Sequence, residues 1–168
     1  FYNRKLMLSE RLAIENYLSQ KWSISVSADY FPEDTTLTEM PAHTQTRSTT
    51  VPITDGLKLW LDGNEPHGTE TVSDEEAIQT WVDFSTNGFH ATQTTSGSRP
   101  KYITDAINGK SALYFDGTDD FFETVYTSEL NKQNSDYEMF FVCYSTTTGD
   151  DADVLTSADS THYELYLN

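Results

Sequence analysis

Cysteine occurs once in 168 residues, at Cys143, so neither an internal disulfide framework nor a cysteine-based zinc site can form. No run approaches the roughly 18 apolar residues that a membrane-spanning helix needs. Positive charge is scarce: 10 Lys and Arg face 27 Asp and Glu, for a net charge of −17. Such a chain repels phosphate, which argues against a nucleic-acid module and against docking on anionic lipid. Hydrophobic residues reach only 36%, below the usual share. Aromatic side chains, by contrast, are plentiful, with 10 Tyr, 9 Phe and 3 Trp. Disordered chains are poor in aromatics, so most of this one is expected to fold. The chain opens on Phe1 without Met or signal peptide and closes at Asn168 inside a strand-like pattern. It reads as a piece of a longer polypeptide cut at both ends.

Three zones separate by composition. Residues 1–24 hold four basic and two acidic side chains, so nearly all of the acidity lies downstream. In this zone Met7, Ile14, Tyr17, Leu18 and Trp22 share one side at helical period, which predicts an amphipathic helix. Ser9 suits its N-cap, Glu10 its positive end and Lys21 its last turn. Residues 25–55 contain Pro32, Pro41, Pro52 and a threonine-rich run without strong period. They read as an extended linker, with a short strand expected at Ser25–Ala28.

From Gly56 onward the pattern is β. Leu57, Leu59 and Leu61 alternate with Lys58, Trp60 and Asp62, as in a strand with two different faces. Further strands are expected at Ala112–Phe115, Phe121–Tyr126, Asp153–Leu155 and His162–Leu167. Tyr137–Tyr144 is apolar on both faces, which predicts an interior strand covered on both sides. Turn signals stand between them at Asn87-Gly88, Asn108-Gly109, Asp116-Gly117 and Gly149-Asp150. One helical stretch is expected at Asp74–Val82, capped by Ser73. Short strands with polar turns indicate an antiparallel sandwich or barrel.

The residues also carry a family resemblance. Leu57-Lys58-Leu59-Trp60-Leu61-Asp62 is followed by Val82-Asp83-Phe84-Ser85-Thr86-Asn87-Gly88, His90-Ala91-Thr92-Gln93, Arg99-Pro100, Asn108-Gly109 and Tyr114-Phe115-Asp116-Gly117-Thr118-Asp119-Asp120-Phe121. This order resembles the opening half of laminin G-like domains of the concanavalin A-like lectin/glucanase superfamily. Two departures are Phe84, where Lys is common, and Thr86, where the pattern has Gly. Tyr2-Asn3-Arg4, Leu8-Ser9-Glu10-Arg11, Ile14-Glu15-Asn16-Tyr17-Leu18 and Lys21-Trp22 resemble the closing helix of such a domain, with a spacer before Glu10 shorter by about two residues. The resemblance implies the end of one domain (1–24), a Thr/Pro-rich linker (25–55) and the N-terminal part of the next sandwich (56–168). The implied fold class is all-β, an incomplete concanavalin A-like antiparallel jelly-roll sandwich preceded by one amphipathic helix. Completion of that sandwich by residues beyond Asn168 is expected, so the chain alone should expose open sheet edges.

Candidate chemistry is sparse. Hydrolases on this kind of sandwich use carboxylates spaced E-x-D-x-x-E on one strand, and no such triplet occurs. Glu75 and Glu76 are adjacent and would point apart, and Glu164 has no acidic residue at +2 or +4. His43, His67, His90 and His162 have neither metal-ligand nor triad spacing. Asp116, Asp119 and Asp120 crowd one turn, where they suit either loop capping or a calcium ion. Asp150, Asp151 and Asp153 form a similar cluster that reads as a solvated loop. Trp60, on the polar side of its strand, suits either a sugar platform or the core. Trp81 is expected to pin its segment to the sandwich, and Asp83 to tie the Ser85–Gly88 turn.

One sandwich hosts many functions. The resemblance implies a non-catalytic module of a bacteriophage fibre, spike or bacterial surface adhesin, serving glycan recognition or structural presentation. The expected location is a virion surface or the extracellular or cell surface. Expected partners are a glycan or host receptor and neighbouring virion or surface chains, including copies of itself. Two alternatives stand beside this: a purely architectural virion component that binds protein neighbours, and the carbohydrate-binding arm of a polysaccharide-degrading enzyme.

Overall fold

The computed structural model describes residues 1–24, 51–68, 71–125, 130 and 136–144, and the backbone of 162–166. The chain divides into two units, Leu6–Thr54 and Phe1–Lys5 with Asp55–Asn168. Phe1–Lys5 therefore belongs with the β-rich zone and not with the helix that follows it in sequence. Among the described residues the protein is mostly β, with one α-helix and antiparallel sheets. No described helix is long and apolar enough to cross a membrane.

Helix α1 spans Leu8–Trp22. Its cap is Met7, in extended backbone, and not the expected Ser9. Glu10 decides this: its Oε2 accepts the Met7 N–H at 2.9 Å, the acidic half of a capping box. Ile14 and Tyr17 are buried, whereas Met7 is 66% exposed and leaves the expected stripe. Lys21 stands in the last turn with Nζ 5.7 Å from the Tyr17 ring centroid. Ser23 closes the helix in a left-handed conformation (φ 54°), and the Ile24 N–H returns to the Ser19 carbonyl at 3.0 Å.

In the β-rich unit, β1 (Thr80–Trp81), β2 (Ala91–Thr92), β5 (Phe121–Val125) and β6 (His162–Tyr166) form one antiparallel sheet in the order β1-β2-β5-β6. β3 (Lys101–Ile107) and β4 (Lys110–Tyr114) form a separate hairpin. Asn108 (φ 52°) and Gly109 (φ 72°) close it, the paired positive dihedrals that a two-residue type I′ turn requires. The hairpin register is irregular between Ile103 and Ile107, where Asp105 also has positive φ.

Alternation along β5 sets the core face. Phe122 and Thr124 are buried, while Val125 is exposed. Ile78, Ala91, Tyr102 and Phe122 form the core, with Leu61, Val72, Trp81, Leu113 and Phe115 packed against it. The Trp81 and Phe115 rings meet Phe122 at 5.7 and 6.0 Å. Full burial of a ring such as Phe122 stabilises by about 1.5–3 kcal/mol. Trp81 thus packs as the sequence suggests, though its buried Nε1 has no hydrogen-bond partner among the described residues.

Three sequence expectations need correction. Asp74–Val82 is not a helix. Asp74-Glu75 makes a turn with Glu75 at φ 60°, Ala77 bridges to Lys101, and the Ile78 N–H donates to the Pro100 carbonyl at 2.9 Å. Sheet pairing wins over local helical spacing, and the Ser73–Glu76 pair caps only this turn, with the Ser73 N–H on Glu76 Oε2 at 3.0 Å. Leu57–Asp62 is not a continuous strand. It is tied by isolated bridges, Leu57 to Tyr2 and Leu61 to Asp83, and residues 57–61 are all half-buried instead of alternating. Tyr137–Tyr144 is not a covered interior strand. It pairs through Glu138 to Tyr2, and Tyr137, Phe141, Val142 and Tyr144 are exposed, Tyr144 by 69%. Its apolarity reports side-chain chemistry and not burial. The expectations at Ser25–Ala28, Gly149-Asp150 and Asp153–Leu155 lie outside the described residues.

Candidate functional site

Residues of the Leu57–Asp62 and Val82–Phe89 stretches meet around Asp83, which is 6% exposed. Asp83 follows β1, bridged to Leu61. Its Oδ1 accepts the backbone N–H groups of Trp60 (3.0 Å) and Ser85 (2.8 Å). Its Oδ2 accepts the Ser85 hydroxyl (2.8 Å) and the Phe89 N–H (3.0 Å). Four donors on one carboxylate offset the cost of burying it. Asn87 extends the knot, donating from Nδ2 to the Leu57 and Lys58 carbonyls and to Ser85 Oγ. The expected tie of Asp83 to the Ser85–Gly88 turn is present. Thr86 has φ 73° and Gly88 φ 76°. A glycine would suit position 86 better than Thr86, because a β-branched residue is strained in this region.

Asp83, Ser85 and His90 are the three residue types of a nucleophilic triad, yet their bonding is different. The Ser85 hydroxyl lies 2.8 Å from both the Asp83 carboxylate and the Lys58 carbonyl, to which it can donate, and accepts from Asn87 Nδ2. His90 Nδ1 accepts the Asp83 backbone N–H at 2.9 Å, unlike the base-to-hydroxyl contact of a triad. These bonds tie the turn from Asp83 to Phe89 to Lys58 and Trp60.

A second bonded group organises the next two motifs. Buried Gln93 donates from Nε2 to the Phe121 carbonyl (3.2 Å) and accepts the Thr95 N–H (2.9 Å). Arg99 donates to the carbonyls of Gln93 (3.0 Å) and Thr94 (3.1 Å) and to Gln79 Oε1 (3.0 Å). The spacing of Gln93 and Arg99 is thereby explained by packing of the strand ends. Sequence reading gave these two residues no role.

Trp60 is half-buried, its ring 5.4 Å from Phe84 at an interplanar angle of 46°. Phe84 supplies an aromatic neighbour to the ring.

The acidic turn lies between β4 and β5. One carboxylate oxygen from each of Asp116, Asp119 and Asp120 falls within 4.8 Å of the others. Asp116 Oδ1 accepts the N–H groups of Thr118 (2.8 Å) and Asp119 (3.3 Å). Asp120 Oδ2 accepts the Asp116 N–H (3.0 Å), and Asp119 Oδ2 accepts the Ser98 hydroxyl (2.9 Å). The Thr118 bond holds the Asp116 carboxyl below the usual carboxylate range. Burial, reinforced by the charges of Asp116 and Asp119, pushes Asp120 above it. The three side chains could hold a cation, for they present convergent hard oxygens and a positive ion would relieve that repulsion. They supply only part of the six to eight oxygens calcium takes.

No family model, no curated protein and no solved structure significantly matches this chain.

Proposed function

We propose that the chain is part of a non-catalytic surface module of concanavalin A-like, jelly-roll type, which recognises or presents glycans on a virion or cell surface. One observation supports this reading above others. The polar residues of the laminin G-like pattern converge on one antiparallel unit and engage their hydrogen-bonding groups with each other, around Asp83 and around Arg99. A module whose signature residues maintain a scaffold suits presentation and binding better than bond cleavage. Trp60, half-buried with Phe84 beside it, is the proposed sugar-contacting residue. Asp116, Asp119 and Asp120 are the proposed position of a structural calcium ion, with the remaining ligands coming from backbone carbonyls and water.

The test is retention of the whole chain on a glycan array, with soluble products assayed in parallel. The reading expects binding without new reducing ends, weakened about tenfold by Trp60→Ala, a loss of about 1.4 kcal/mol. Release of reducing ends would contradict it. A second reading, an architectural component binding protein neighbours, is favoured by the exposed apolar side chains of Tyr137, Phe141, Val142 and Tyr144. Absence of glycan binding would move that reading ahead.

A further inference from the structure

The β-rich unit, Phe1–Lys5 with Asp55–Asn168, carries 7 Lys and Arg against 21 Asp and Glu. Carboxylated and sulfated sugars are held by cations, and best by the forked guanidinium of arginine. This unit has two arginines, Arg4 and Arg99, and both are engaged. Arg4 Nε stands 2.9 Å from Asp55 Oδ2. Arg99 donates to the carbonyls of Gln93 and Thr94 and to Gln79 Oε1 at 3.0–3.1 Å. An anionic ligand would have to displace these bonds, and it would do so against the field of the surrounding carboxylates.

The neighbours of Trp60 point the same way. Asp83 Oδ1 accepts the Trp60 N–H at 3.0 Å. The Ser85 hydroxyl lies 2.8 Å from the Asp83 carboxylate and from the Lys58 carbonyl. Asn87 Nδ2 donates to the Leu57 and Lys58 carbonyls at 3.2 and 3.1 Å. These polar groups serve the fold. What remains for a sugar is the half-buried Trp60 ring with Phe84 at 5.4 Å. The negative face of an aromatic ring suits the C–H side of a pyranose and repels an anion. We propose that the sugar taken at Trp60 is uncharged, a neutral hexose chain, and that sialylated, uronic and sulfated chains are refused. This rests on the reading that Trp60 contacts a glycan.

The test is an array of neutral glycans, each beside its sulfated or sialylated form, probed with the whole chain. At about 0.1 M salt, where charges act over roughly 10 Å, the neutral member of a bound pair should be retained at least about tenfold better. At about 1 M salt, where that range is roughly 3 Å, neutral binding should persist and the gap should narrow. Trp60→Ala should weaken neutral binding about tenfold, whereas Lys58→Ala, which removes the one cation of the Leu57–Asp62 stretch, should leave it within about twofold. Stronger retention of the acidic member at low salt would overturn the inference and leave the glycan reading standing, and its loss in Lys58→Ala would trace the preference to that ammonium. Retention of neither member of any pair would overturn the glycan reading and the inference with it.

Discussion

Asp83 and Asp120 are both buried carboxylates at the edge of a β-strand, 6% and 7% exposed. Their surroundings differ. Asp83 receives four donors, three of them backbone N–H groups, two from its own turn and one from Trp60, and shares that turn with no other acid. Asp120 accepts one backbone N–H and lies beside Asp116 and Asp119, whose charges add to burial in favouring its protonated form. A buried charge met by enough dipoles becomes part of the scaffold. One met by too few, among like charges, is a place where a proton or cation is favoured.

Breaking the first turn should have the largest effect. Asp83→Ala leaves the amides of Trp60, Ser85 and Phe89 without their acceptor, at about 1–3 kcal/mol for each buried donor left unmet. Urea unfolding should show a loss of at least about 3 kcal/mol. The second turn should respond to calcium: at 100 times its dissociation constant the ion adds about 2.7 kcal/mol. The wild-type thermal midpoint should therefore rise with calcium, and that of Asp119→Asn should not. Thr86→Gly should sharpen the first turn by relieving its positive φ, a gain of about 1 kcal/mol read in the same urea assay.

The smallest effect concerns Asp120→Asn, which keeps an oxygen for the Asp116 N–H and removes the unfavourable charge. At neutral pH the change should stay within about 1 kcal/mol of zero. Its pH dependence has a definite sign. Because the folded carboxyl holds its proton more tightly than the unfolded one, Asp120 costs stability as pH rises through the carboxylate range, and the variant should gain on the wild type there. Asp74 behaves in the opposite sense. Thr104 donates to it from both its N–H and its hydroxyl at 2.8 Å, which lowers its proton affinity. Its contribution is present above the unfolded pKa and is lost as pH falls, so Asp74→Asn should lose ground to the wild type as pH rises. Equilibrium unfolding across the carboxylate range separates the two.

Much of the β-rich unit was legible where local chemistry and tertiary pairing agree. Asn108-Gly109 closes a hairpin as its residue types require, and β4, β5 and β6 lie at or near the expected strands. β3 was missed although its β-branched residues run straight into that turn. Asp74–Val82 misled because Ser73 and Glu76 make the same capping bond in a single turn as in a helix. The run Tyr137–Tyr144 misled because apolarity says that a segment can be covered, not that it is. The acidic turn was visible as a cluster, but the opposite shifts of Asp116 and Asp120 follow from the Thr118 bond to the first and the burial of the second. Asp83 was legible as a tie. Its bond to Trp60 reaches 23 residues back along the chain, and only the fold brings that donor to it.

The central claim is that Asp83 and its neighbours hold this part of the β-rich unit together. Amide hydrogen exchange in the wild type and Asp83→Asn tests it most directly. The account predicts that Trp60, Ser85 and Phe89 are protected in the wild type and lose protection together in the variant, while the β3–β4 hairpin keeps its own. Unchanged protection of those three amides in the variant would contradict it.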